Sequence, residues 1–307
     1  MVGMSSVQTS SISRFTFVSA LFLVAGCGSA VAPRPAARVS PDTTHIAIDQ
    51  VASRPIDGSA MPSPTTPKLD FDAMTADLQK ACPLSEDDPS NIGMKEAGAA
   101  QNACFERAAD KERNAFIASL APSDPRVVGA AQVERAFAAF VKDVCWASEE
   151  VQWVDFTTGT RDDGTLRGYA FLGCESRAAE ERAFFYRALR TKDAVGFARH
   201  VDEAAPRGHR EAFFLKDLTT AARHLESKPA AKAKSHDMPE TLEPTARAEY
   251  VKRFVAIDRA ASQLGNETCS AFDGLSNTLG AKTCAARTKT AYLALGAFEA
   301  SGEDVGP

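Results

Sequence analysis

The stretch VERAFAAFVKDVCW, residues 133–146, decides the fold class of this chain. Its large apolar side chains recur at the spacing of one helical face, and they are Val133, Phe137, Phe140 and Val144. That period is typical of an amphipathic helix with one buried side. Because the stripe runs directly into Cys145, we predict a helix over about 125–146 that a disulfide ties to a neighbouring segment.

Similar apolar stripes on both sides of this segment indicate further helices. Pro83 stops the first one, and the second is rich in Ala, Glu, Arg and Lys, which are strong helix formers. The first two predicted helices cover about 70–82 and 95–120. After the helix over 125–146, another begins after Cys174, two more contain 214–225 and 250–261, and Cys284 opens the last. We therefore predict a mainly α-helical bundle.

Six cysteines downstream of Cys27 arrive as three local couples. An even number of cysteines favours disulfides and an oxidising compartment over free thiols. Six cysteines allow 15 pairings, and spacing alone does not choose among them. The short separation within each couple favours sequential pairing, and the predicted disulfides are Cys82 with Cys104, Cys145 with Cys174, and Cys269 with Cys284.

The N-terminal segment has the order of an export signal. Residues 1–26 contain one charge, Arg14, followed by a short apolar run and small residues. The sequence LVAGC, residues 23–27, resembles the lipobox of bacterial lipoproteins, which implies cleavage before Cys27 and a lipid on its thiol. The alternative is a signal peptide that merely ends near a cysteine. Since Gly28 replaces the aspartate of an inner-membrane retention signal, we expect the outer membrane, facing the periplasm.

Composition predicts the domain boundaries. Residues 27–67 are rich in Pro, Ser, Thr and Ala and are expected to be a disordered tether behind the lipidated cysteine. We expect one helical module over 68–192 and a C-terminal helical region over 193–300. Both share the order helix, cysteine, Gly-containing loop and cysteine, which leaves open a degenerate repeat.

The formal charge of the chain is −5, or −6 without Arg14. That charge argues against nucleic acid and against a basic lipid-binding patch.

A family resemblance covers about a third of the chain. After Cys82, the segment QNAC, residues 101–104, is followed by ADKERN, residues 109–114, then by FAAF, residues 137–140, ahead of Cys145, and by Cys174 and Arg182. This order resembles the LprI-like family, which is named for a mycobacterial lipoprotein inhibitor of lysozyme. The resemblance implies an exported helical module, frequently borne by a lipoprotein, and it makes lysozyme inhibition a family-level expectation.

The segment between Cys145 and Cys174 is the candidate contact surface for a partner. Its glycines predict turns, with room for a short hairpin. We expect an acidic, aromatic loop that could meet a cationic protein such as a lysozyme-like hydrolase. Its candidate contact residues are Glu149, Glu150, Trp153, Asp155, Asp162 and Asp163. The alternatives are a solvated acidic loop and, for Trp153 and Phe156, packing in the core.

No residue pattern points to catalysis, to a metal or to a cofactor. The cysteines lack metal-ligand spacing, and His200, His209 and His224 are too far apart for a metal motif, so we expect them to be surface or capping residues. The leading hypothesis is a lipid-anchored envelope binding protein, not an enzyme, whose partner is a lysozyme-like or other cationic envelope protein. A structural or sensing lipoprotein is the second hypothesis, and an uncharacterised envelope enzyme is the third.

Overall fold

The computed structural model describes residues 69–85, 87–162, 164–228 and 240–298. The expected signal peptide, Cys27, the tether and Asp163 lie outside these ranges. The described helices are α1 (Phe71–Ala81), α2 (Asn91–Ala118), α3 (Pro125–Glu150), α4 (Tyr169–Thr191), α5 (Ala194–Ser227), α6 (Pro244–Ala271), α7 (Leu275–Leu279) and α8 (Cys284–Leu293). This part of the chain is mainly helical, as the sequence predicts.

Local sequence signals begin these helices. The side chains of Asp70, Ser90 and Asp124 accept backbone N–H groups in the first turns of α1, α2 and α3. Pro125 occupies the start of α3, where its missing N–H costs nothing. Helix α4 ends at Lys192, which has the αL conformation. The next residue, Asp193, is the N-cap of α5, and its side chain accepts a hydrogen bond from the N–H of Gly196.

A small antiparallel sheet lies beside the helices. Its strands are β1 (Val154–Asp155), β2 (Thr160–Arg161) and β3 (Glu240–Thr241), in the order β1-β2-β3. Val154 pairs with Arg161 in the first ladder, and Thr160 pairs with Thr241 in the second. The hairpin expected between Cys145 and Cys174 is therefore present. The segment that connects α3 to α4 is shorter than the predicted loop, because α3 continues past Trp146 to Glu150 and α4 begins at Tyr169, ahead of Cys174.

All three sequential disulfides are confirmed. Cys82–Cys104 joins the end of α1 to α2, Cys145–Cys174 joins α3 to α4, and Cys269–Cys284 joins α6 to α8. The Cα–Cα distances are 5.7, 5.3 and 6.1 Å in that order, within the range that a disulfide needs. Cys145 and Cys174 are fully buried, so this bond lies in the core.

The apolar core is shared across the predicted boundary at 192/193. Val133, Phe140 and Val144 of α3 are buried, as their spacing predicts. They belong to the same cluster as Phe184 of α4 and Phe254 of α6. Helix α3 therefore packs against helices on both sides of the boundary. Two related modules and a degenerate repeat stay predictions.

Candidate functional site

The two glutamates of the predicted acidic loop are buried. Glu149 and Glu150 are 5 % and 3 % exposed and lie in the last turn of α3. The expectation that these two side chains belong to an exposed acidic loop therefore does not match their burial, and their contact with a partner stays a prediction. A buried carboxylate needs hydrogen-bond donors or positive charge around it, and the segment after α3 supplies both.

Glu149 connects the end of α3 to the start of α4 through hydrogen bonds. Its carboxylate accepts hydrogen bonds from the indole nitrogen of Trp153 at 2.6 Å and from the backbone N–H of Phe171 at 2.9 Å, and it also accepts from the N–H of Gly168. The last two donors belong to the start of α4, where backbone N–H groups lack helical partners. Glu149 therefore caps α4 from the end of α3.

Glu150 has a different set of partners. It forms ion pairs with Arg161 at 3.3 Å and with Arg167 at 2.5 Å, and it accepts a short hydrogen bond from the hydroxyl of Tyr250 in α6. These contacts tie the hairpin, the loop and α6 to one buried charge. Glu150 thus has a structural role that its position in an acidic run does not indicate.

The remaining loop residues divide between core and surface. Phe156 is buried and packs edge-on against Tyr250 and Phe254, as the core interpretation expects. Trp153 is partly buried, whereas Asp155 and Asp162 are exposed. Asp155 accepts hydrogen bonds from the turn that follows it. Of the acidic side chains that the structure describes here, only these two face solvent.

A cleft of about 390 Å³ gathers seven ionisable side chains. Helices α4 and α5 form its walls, α1 covers one side, and the turn after α8 closes one end. We call it the α4–α5 cleft, and its lining residues are Phe71, Asp72, Arg177, Glu180, Glu181, His200, Glu203, Ala204, Arg207, Ala294 and Leu295. Its size lies at the lower end of the range for small-molecule sites.

The geometry of a helical hairpin brings these residues together. Arg177, Glu180 and Glu181 share one face of α4, and His200, Glu203 and Arg207 share one face of α5, at the three- and four-residue spacings of a helix. Lys192 and Asp193 alone connect the two helices, so the chain folds back on itself. Glu181 therefore lies opposite His200, and Arg177 faces Arg207 about one turn further along.

His200 is the buried imidazole of the cleft. It is 8 % exposed, so the expectation of a surface or capping residue is wrong. Its Nε2 lies 2.8 Å from a carboxylate oxygen of Glu181, and its ring stacks on Phe71 with the centroids 3.9 Å apart. Burial alone would lower the pKa of His200, but the carboxylates of Glu181, Glu203 and Asp72 together more than offset this, and the pKa is raised above 6.5.

The opposite end of the cleft is cationic. Arg177 donates from Nη2 to the Leu295 carbonyl at 3.3 Å, and Arg207 donates to the Gly296 carbonyl at 3.3 Å. The buried Nε of Arg177 has no hydrogen-bond partner within the described ranges. Burial and the positive charge of Arg207 both lower the pKa of Arg177. This end of the cleft therefore has donors and positive charge that the fold does not use fully.

Glu180 lies between the two ends. It is 7 % exposed, and its hydrogen bond from the Gln79 amide of α1 is long, at 3.4 Å. Burial raises the pKa of Glu180, and the charge of Glu181 adds to this effect. Glu180 and Arg177 also line a second cavity of about 210 Å³, which reaches toward Phe105 and Tyr169.

Among the described residues, no group of three or more His, Cys, Asp or Glu side chains is arranged to hold a metal ion. No described helix combines the length and the apolar character that crossing a membrane requires.

Comparisons of the chain with protein-family models, with curated proteins and with solved structures find no match.

The sequence alone does not predict the cleft, although it contains a weak signal of it. Charged residues at 177, 180 and 181 and at 200, 203 and 207 follow helical spacing in two consecutive helices. Such a pattern usually marks a solvated face, and only the packing of α1 across it turns these faces into a cleft.

Proposed function

We propose that the chain is a lipid-anchored binding protein of the cell envelope, and that its ligand occupies the α4–α5 cleft. The observation that carries the proposal is the set of charged side chains that converge there, together with the buried and unpartnered Nε of Arg177. A concave site with a few convergent polar groups and shifted pKa values is the usual form of a small-molecule site.

The placement in the envelope has two supports. The lipobox-like residues 23–27 support export and lipidation at Cys27. The three disulfides support an oxidising compartment, because such bonds persist outside the cytosol. The choice of the outer membrane rests on Gly28 alone.

The anchor has a simple test. We expect the wild-type chain to sediment with membranes and to carry the mass of a lipid on Cys27. The Cys27→Ser variant should be found in the soluble fraction with no such mass. A wild-type protein without lipid would overturn the anchor and leave the cleft proposal standing.

The cleft is tested by the compounds that the protein retains. The purified full chain is incubated with a small-molecule extract of cell envelopes, washed and denatured, and the released compounds are identified by mass spectrometry. We expect a compound that is enriched on the wild type and lost on Arg207→Met. Arg210→Met is the matched control, because Arg210 is exposed on the same helix outside the cleft. A compound profile that is the same for all three proteins would contradict the proposal, and it is the result that a purely structural lipoprotein predicts.

Inhibition of a lysozyme-like hydrolase is the second candidate. Its support is the resemblance to the LprI-like family and the exposure of Asp155 and Asp162. Because Glu149 and Glu150 are buried, the acidic surface that could meet a cationic enzyme is smaller than the sequence predicts. A lysozyme assay with the oxidised chain, at low and at high salt, tests this candidate directly.

A further inference from the structure

The guanidinium groups and the imidazole of the α4–α5 cleft lie toward opposite ends. Arg177 and Arg207 each donate to a backbone carbonyl of the turn after α8, and Glu180 and Glu211 also act on the charge of Arg177. The carboxylates that act on His200 are Glu181, Glu203 and Asp72. Both guanidinium groups of the cleft therefore lie at the Arg177 end, together with some negative charge, and three carboxylates surround the imidazole at the other end.

The cationic end suits a carboxylate. Among the described residues, neither Arg177 nor Arg207 forms an ion pair, and each has a single hydrogen bond to a backbone carbonyl. A guanidinium has five N–H donors and prefers planar, bidentate acceptors. A ligand carboxylate would satisfy unused donors and offset the repulsion between the two positive charges.

The acidic end suits an ammonium group. Glu181 is engaged by His200, whereas Asp72 is exposed and Glu203 is only 3.8 Å from Arg199 in an exposed pair. An inorganic anion would meet these carboxylates, and a simple cation would meet the two arginines. The combination of both ends favours a ligand that carries one charge of each sign.

The distance between the ends sets the length of that ligand. Glu203 and His200 lie four and seven residues from Arg207 on α5, which is roughly 6 to 10 Å along a helix axis. The free termini of a peptide of two or three residues are about 7 to 11 Å apart when it is extended. Apolar wall for its side chains comes from Phe71 beside His200, Leu295 beside Arg177, and Ala204.

We propose that the α4–α5 cleft binds a di- or tripeptide with free termini, with the carboxylate at Arg177 and Arg207 and the ammonium group at Asp72 and Glu203. This inference rests on the proposed function and deepens it, because it names the chemical class of the ligand.

The test uses peptides with blocked ends and the full chain. Alanyl-alanine and trialanine are titrated calorimetrically, together with their N-acetyl and C-amide forms, free alanine and inorganic phosphate. We expect at least one free peptide to bind, and each block to weaken it by about tenfold or more, since each block removes one charge-assisted contact. Blocked peptides that bind as tightly as free ones would overturn the inference, and so would the absence of binding by any peptide at millimolar concentration.

Two variants test the orientation. Arg207→Met should weaken the free peptide and leave the affinity of its C-amide unchanged, whereas Glu203→Gln should weaken the free peptide and leave the N-acetyl form unchanged. Both residues are exposed, so the fold should persist, and Arg210→Met is the matched control. If both variants bind the free peptide like the wild type, the orientation and the site are wrong. If an envelope compound of another charge class is retained and is lost with Arg207→Met, the peptide inference fails while the proposed function stands.

Discussion

The carboxylate of Glu149 accepts a hydrogen bond from the indole nitrogen of Trp153 at 2.6 Å, one helical turn further along the chain. The same carboxylate caps the first N–H groups of α4. An acidic residue and an aromatic residue that could have formed a contact surface for a partner instead close the connection between α3 and α4. The loop thereby loses most of its exposed acidic surface, whereas the α4–α5 cleft keeps its charged lining.

Replacing Glu149 should destabilise the fold. Glu149→Ala leaves the Trp153 indole and two backbone N–H groups without their acceptor in a nearly dry site, and we expect a loss of about 2 to 4 kcal/mol in the free energy of unfolding. Urea unfolding measures it. Asp162→Ala in the same loop is the control, and its exposed side chain should change stability by less than about 0.5 kcal/mol. Equal effects of the two variants would show that Glu149 has no capping role.

The sequence predicts the helices and the disulfides well, because both depend on local patterns. The stripe from Val133 to Val144 is buried as expected, and the sequential cysteine pairs form. The end of α3 is different. Glu149 and Glu150 look like the start of a solvated loop, since the groups that donate hydrogen bonds to Glu150 lie 11, 17 and 100 residues further along the chain.

The cleft could not be predicted for a similar reason. Phe71, 129 residues earlier, stacks on the ring of His200 and helps to bury it. A charged helical face has the same sequence pattern whether it meets water or another helix. Which of these applies is decided by packing between distant elements, and one sequence does not contain that information.

Arg182 connects three helices through charge. It is 12 % exposed and forms ion pairs with Glu106 and Asp110 of α2 and with Glu134 of α3. Arg182→Met leaves three carboxylates close together, and we expect a loss of about 1 to 3 kcal/mol at pH 7, since two of the partners are half-exposed. Arg190→Met is the control, because its partner Glu112 keeps Arg187.

The defect of Arg182→Met should be smaller at acid pH. Burial already raises the pKa of Glu106, and Asp110 and Glu134 add to this effect while Arg182 opposes it. Without Arg182 the Glu106 carboxyl takes up its proton at higher pH, and this protonation then stabilises the folded variant. Urea unfolding at pH 7 and pH 4.5 tests this. A difference between variant and wild type that grows on acidification would contradict the account.

Gly208 allows α5 and α8 to approach closely. A Cβ atom at this position would lie 1.8 Å from the backbone carbonyl oxygen of Thr290, which no rotamer change can relieve. We expect Gly208→Ala to lower the melting temperature markedly or to prevent folding. Gly173→Ala in α4 is the control. Its Cβ meets nothing within 4 Å, so it should stabilise the helix by about 0.5 to 1 kcal/mol. Equal melting temperatures for the two variants would contradict this packing.

His200 gives the stability a pH dependence of defined sign. Its pKa is raised in the folded state by Glu181 of α4, with Glu203 of α5 and Asp72 of α1 adding to the effect against the cost of burial. The stabilisation from its protonation is therefore fully present below about pH 6.5, the value for an unfolded chain, and is lost as the pH rises through the folded pKa. We expect His200→Gln to reduce the loss of stability between pH 6 and pH 8.

An NMR titration of the imidazole C–H signals measures the pKa of His200 directly. The wild type should titrate above 6.5, and Glu181→Gln should lower the value. A wild-type midpoint at or below 6.5 would show that Glu181 does not govern this imidazole.

The most direct test of the account compares the cleft with the loop in one experiment. Arg207→Met removes a charge from the α4–α5 cleft, and Asp162→Asn removes one from the exposed part of the loop. Both variants and the wild type are assayed for retention of envelope small molecules and for inhibition of lysozyme. We predict that Arg207→Met loses the retained compound while Asp162→Asn keeps it. Loss of lysozyme inhibition in Asp162→Asn, with retention unchanged in Arg207→Met, would contradict a ligand site in the cleft and return the function to the loop.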